Sequence, residues 1–107
     1  MYELDTLLGK VVTMKTLTGD EIMGTLLGVD TDNQYITLQS PKAVLINGKD
    51  IIIGPMCFSA ITEQLVVRLS NVFFIVESLP ESASDYLSVI QEEKPAQIID
   101  EDTDSDN

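Results

Sequence analysis

Apolar and polar positions alternate with a period of two along much of this 107-residue chain. Over 10–17, Val12 and Met14 alternate with Thr13 and Lys15, the mark of a half-buried strand. Thr18-Gly19-Asp20 reads as a turn. A second strand over 21–29 carries Ile22, Leu26 and Leu27 and is interrupted by Gly24 and Gly28. Strand glycines mark bends or close backbone approach, which small barrels need in order to close. Asp30-Thr31-Asp32-Asn33 is a polar loop. A third strand over 35–39 places Ile36 and Leu38 on one face and continues through 43–46, past Ser40-Pro41. Asn47-Gly48 predicts a type I′ hairpin. The return strand begins at 51–53, breaks at Gly54-Pro55 and resumes over 60–69. Ser70-Asn71 leaves room only for a tight turn before an almost wholly apolar last strand over 72–76.

Two helical patterns flank the strands. Leu4, Leu7 and Leu8 have helical spacing and Gly9 follows as a stop, so a short N-terminal helix is expected over 3–8. Pro80 ends the body. Ser82 or Ser84 then caps a short helix over 80–91, with Tyr86, Leu87 and Ile90 on one face. The expected fold is all-β: a small, strongly bent, five-stranded open barrel of SH3-like shape over 1–79, with an extended hairpin at about 40–60. Such a barrel leaves edge strands. An apolar edge such as 72–76 is a hazard unless it is paired. Pairing it with a second copy, repeated with rotation, closes a ring.

Charge divides the chain in the same place. Residues 1–79 hold nine acids and five bases, whereas 80–107 hold nine acids and only Lys94. Ile98-Ile99 is the only apolar pair after Glu92, too little to offset the entropy of ordering, so 92–107 is expected to be an acidic, disordered tail. The chain has no histidine and one cysteine, which excludes zinc sites and histidine-based acid–base chemistry. No enzyme, cofactor or metal is expected. Cys57 has no base nearby in sequence and reads as a small buried hydrophobe. No leader pattern opens the chain and no apolar run reaches the ~20 residues that span a bilayer, so a cytoplasmic protein without a membrane partner is expected.

The ordered set of residues resembles the Sm/LSm family, which includes the Hfq proteins. Val11, Met14 and Leu17 precede Gly19, and Ile22, Gly24, Leu26 and Asp30 follow at the spacing of the first Sm motif. Val67-Arg68-Leu69-Ser70-Asn71-Val72-Phe73-Phe74-Ile75 is similar to the second. The likeness covers residues 2–78. The long hairpin and acidic tail are similar to short phage-encoded Sm-like proteins, for which the host cytoplasm is the implied location.

The resemblance implies a homo-oligomeric ring of five to seven copies, with Val66, Val67, Val72, Phe73, Phe74 and Ile75 at its interfaces. It also implies one pocket per subunit for single-stranded U-rich or A-rich RNA, built from Asp30, Asn33, Gln34, Tyr35, Arg68, Ser70 and Asn71. Arg68 would stack or hold phosphate, Asn33 or Gln34 would read a base edge, and Tyr35 offers a stacking ring. Departures from the family pattern cut the other way. Leu69 stands where the family has glycine, Asp32 disfavours a stacked base, and Arg68 has a plain alternative as an ion-pair partner of Asp30 or Asp32. A ring would also carry on the order of −60 to −84 charges, which opposes nonspecific RNA binding. The alternative is a ring-shaped protein-interaction module that has lost RNA binding and meets a basic partner through its acidic tail.

Overall fold

The computed structural model describes residues 4–56 and 63–105, with side chains through residue 92. Cys57 and the start of the strand expected over 60–69 lie outside the described residues. Leu4–Leu7 form a single 3-10 turn, not an α-helix. Six residues before Gly9 close little more than one turn, below the length at which a helix holds itself. Gly9 leaves that turn with φ of 81°.

Among the described residues six strands follow where five were expected: β1 (Val11–Thr16), β2 (Glu21–Asp30), β3 (Tyr35–Asn47), β4 (Asp50–Pro55), β5 (Gln64–Arg68) and β6 (Val72–Glu77). The sixth arises from the return strand. β3 runs through Ser40, held at a φ of 52°, and this kink divides it. Its second half pairs with β4 and its first half with β5, so one long partner strand is split opposite the kink. The hairpin also shifts by one residue. Asn47 pairs with Asp50, leaving Gly48 and Lys49 as the loop. Only Gly48 of the two has positive φ, the sign pattern of a type II′ rather than a type I′ turn.

The inward positions build one core. Val12 and Met14 of β1, Ile22 and Leu26 of β2, Ile36 and Leu38 of β3, Ile75 of β6 and Leu7 form a single buried cluster. Gly24 lies between Ile22 and Leu26 on the inward side. A Cβ there would stand 3.1 Å from Leu38 Cβ and 3.3 Å from the Gln39 carbonyl oxygen. The β2–β3 register shifts at this glycine and again before Gly28, and such bulges bend the sheet.

The sheet order is β4-β3-β2-β1-β6, with β5 bonded to the first half of β3. β5 and β6 are therefore the two lips of an open barrel. The expected edge at 72–76 is present as β6.

A second layer covers the opposite face. Helix α1 spans Pro80–Ser105, longer than the helix expected over 80–91, and it continues through residues read as tail. Pro80 opens it instead of merely ending the body, because proline's fixed φ and missing N–H suit the first helical position. Its entry is pinned where Ser78 N–H donates to the Val11 carbonyl at 3.0 Å and the Thr13 and Ser78 hydroxyls meet at 2.7 Å. Tyr86 is fully buried, and its hydroxyl donates toward the carbonyls of Gln39 (3.0 Å) and Ser40 (2.8 Å). The helix thus crosses from β1 to β3 over the outer face. Met23 and Lys42, cross-strand partners on β2 and β3, are also buried although they stand outside the core cluster. Among the described residues, no helix is long and apolar enough to cross a membrane.

Candidate nucleic-acid interface

The loop after β2 is ordered by its own polar side chains. Asp30 accepts the Asn33 backbone N–H at Oδ1 and the Asn33 side-chain amide at Oδ2, both at 3.0 Å. This is an Asx-type turn, in which a short carboxylate closes the loop it begins. Those hydrogen bonds stabilise the charged form. They hold the Asp30 carboxyl below its usual value, the side-chain amide of Asn33 contributing most. Gln34 follows at a φ of 66° and donates its side-chain amide to the Thr31 carbonyl at 2.7 Å.

Tyr35 opens β3 directly opposite Arg68, the last residue of β5. The Arg68 guanidinium lies 5.4 Å from the centre of the Tyr35 ring, and its Nη2 donates to the Tyr35 hydroxyl at 3.3 Å. A cation at this distance is attracted by the ring quadrupole. Arg68 therefore stands over Tyr35 instead of pairing with Asp30 or Asp32, and Asn33 serves the Asp30 carboxylate. One backbone bond fastens the two segments: Leu69 N–H donates to the Gln34 carbonyl at 2.8 Å.

The structure thus brings Asp30, Asn33, Gln34, Tyr35 and Arg68 to one end of the barrel. Ser70 and Asn71 sit in a 3-10 turn, Leu69–Asn71, just beyond. Asn71 is tied the other way, its carbonyl accepting the Leu17 N–H at 3.0 Å. Leu69, the residue in the family's glycine place, packs against the core. The Gln34 carbonyl and the Leu69 amide were not singled out from sequence, because backbone groups leave no residue signature.

The expected interface residues divide by face. Val67, Val72 and Ile75 turn to the core, whereas Val66, Phe73 and Phe74 are exposed on the two lips. Val76, exposed beside them, joins this surface. The Phe73 and Phe74 rings pack on each other with centroids 5.7 Å apart. Among the described residues there is no cluster of side chains able to hold a metal.

No protein-family model matches the sequence, and none of the characterised proteins does. Solved structures do match in shape. A heptameric archaeal Sm protein aligns at 24% identity with a TM-score of 0.52, over 71% of this chain and 96% of its own. An Sm-like protein from Archaeoglobus fulgidus aligns at 20% identity and a TM-score of 0.51, over 70% and 88%. A chain of the NatC complex bound to CoA aligns at 15% identity and a TM-score of 0.50, over 75% and 90%.

Proposed function

We propose that this chain, whose fold is that of the Sm-like proteins, closes into a homo-oligomeric ring that binds single-stranded RNA without catalysis. Five to seven copies pair β5 of one with β6 of the next, which covers Val66, Phe73, Phe74 and Val76. The matched archaeal Sm protein is heptameric, and that supports a ring here. Each subunit then offers one pocket at the end of β3 and β5, in a protein of the cytoplasm.

The observation that carries this reading is the Arg68–Tyr35 pair. A guanidinium held in place by an aromatic ring and its hydroxyl can offer its other face to a base. Asn33 keeps its side-chain carbonyl to accept from a base edge, since its amide is given to Asp30. The charged Asp30 carboxylate repels phosphate, so the pocket favours contact with bases over contact with the backbone. U-rich or A-rich RNA fits such a site.

A second reading has its own support. Net charge of −12 and Leu69 at the pocket's edge disfavour RNA, and the same fold occurs in the NatC complex. On that reading the ring is an assembly module, and the acidic C-terminal segment meets a basic protein.

Fluorescence anisotropy with short U-rich and A-rich RNAs, across a salt series, separates the two. The RNA reading expects sequence-dependent binding that Arg68→Ala abolishes. Absence of binding even at low salt would sink it in favour of the assembly module.

A further inference from the structure

The β3–β4 hairpin is a two-stranded arm closed by a two-residue turn. Asn47 pairs with Asp50, and Gly48 and Lys49 alone join them. All four residues are exposed. Side-chain packing does little to hold the arm shut. Ile46 and Ile51 form a cross-strand pair on one face and Leu45 and Ile52 on the other, and these four are exposed as well. A two-stranded ribbon with both faces bare is marginal in water. The turn and the ladder behind it therefore hold the arm, and its tip opens more readily than the sheet it grows from.

The turn also joins two groups that react with each other. The Asn47 side-chain amide precedes the backbone nitrogen of Gly48, a residue with no side chain to shield it. In an antiparallel ladder the pair that closes a two-residue turn exchanges both of its hydrogen bonds. Here that pair is Asn47 with Asp50, so the Gly48 N–H takes no part in the ladder. Attack of this nitrogen on the Asn47 side-chain carbonyl carbon forms a C–N bond and expels ammonia, leaving a succinimide ring. Water then opens the ring. Addition at the side-chain carbonyl gives aspartate. Addition at the backbone carbonyl gives isoaspartate, in which the chain runs through the former side chain. Asparagine and water thus become an acidic residue and ammonia, with no oxidant or partner. Attack needs Asn47 to leave its strand conformation, so the reaction proceeds from the open tip.

The other described asparagines are guarded. The Asn33 side-chain amide donates to Asp30 at 3.0 Å, and Gln34 with its full side chain follows. Asn71 precedes Val72, whose branched Cβ crowds the approach. We propose that Asn47 is a self-modification site, and that its conversion to aspartate or isoaspartate unfastens the arm. Aspartate places a second carboxylate directly across from Asp50, and like charges in that position destabilise the pair. Isoaspartate adds an extra backbone carbon to a turn whose length sets the register of β3 against β4. Either product loosens the pairing of Leu45 with Ile52 and of Ile46 with Ile51. Neither the ring reading nor the RNA reading bears on it.

Incubation of the folded, full-length chain at mildly alkaline pH, followed by peptide mapping with mass spectrometry, reads the reaction. The peptide that holds Asn47 should gain the mass difference between a carboxyl and an amide. Protein isoaspartyl methyltransferase with a labelled methyl donor should mark the same peptide. Peptides holding Asn33 and Asn71 should stay unchanged over the same time. Asn47→Gln should remove the gain, since its longer side chain closes the ring far more slowly. In the converted fraction, separated by anion exchange, the backbone amides of Leu45 and Ile52 should lose hydrogen-exchange protection. An Asn47 that stays intact, or an earlier gain at Asn33 or Asn71, would overturn the site. Unchanged protection of Leu45 and Ile52 in the converted fraction would overturn the unfastening of the arm.

Discussion

Tyr86, 46 residues further along the chain, reaches back to the Ser40 carbonyl at 2.8 Å. Ser40 is the kink of β3, so this contact ties the C-terminal helix to the point where the sheet bends. The part of the helix around Tyr86 belongs to the packed body, and the acidic composition sets in after it, from Glu92.

Removing that hydroxyl tests the tie. Tyr86→Phe should cost roughly 1–3 kcal/mol, since two carbonyls lose a shared donor. Tyr86→Ala should cost roughly 3–5 kcal/mol through the cavity it leaves. Urea unfolding at fixed protein concentration reads both. A loss under about 1 kcal/mol for the alanine variant would contradict the burial of the ring.

Gly24 is a second point where the chain has little choice. The neighbours of an added Cβ are a side chain's own Cβ and a backbone oxygen, neither of which is a flexible end. Gly24→Ala should destabilise by roughly 1–3 kcal/mol, the usual cost of overpacking. Gly28, with open space around its missing Cβ, is the internal control. Equal effects at the two sites would mean that the β2 bend tolerates a side chain.

Asp30 makes the polar loop pH-dependent. The hydrogen bonds from the Asn33 side-chain amide and backbone N–H hold its carboxyl below the ordinary carboxylate value in the folded chain. The stabilisation is therefore fully present above the unfolded value and is lost as pH falls through the lower, folded one. Carbon-13 shifts of the carboxyl should show this depressed titration. Asn33→Ala should return it toward 3.8, because the largest cause is the Asn33 amide. No movement in that variant would assign the shift to something other than this turn.

Tyr35 separates a stacking platform from a plain strand aromatic. Tyr35→Phe keeps a ring beneath Arg68 and should retain most RNA affinity. Tyr35→Ala leaves the guanidinium unsupported and should lose ~1–3 kcal/mol of binding, the range for a base-stacking contact. If the alanine variant bound as wild type does, the guanidinium would not need its aromatic backing.

The alternation of apolar residues by itself determined β1 and the first half of β3, because a strand with one buried face must repeat every two residues, whereas β2, the second half of β3 and the edge strand β6 were legible as short apolar runs bounded by glycines and polar turns. Leu4–Leu7 was legible as a helical turn but not in its length, since three leucines give spacing without the cooperativity of a full helix. The helix around Tyr86 was also visible, as a face of Tyr86, Leu87 and Ile90. Its partner was not: a helix's apolar side shows in sequence, whereas the Gln39 and Ser40 carbonyls that receive Tyr86 are backbone groups without a residue signature. The meeting of Tyr35 with Arg68, 33 residues away, was likewise decided by tertiary structure, through the β3–β5 register and the Leu69–Gln34 backbone bond. Local pattern records which side of a strand is buried, and only the folded chain decides which strand lies across from it.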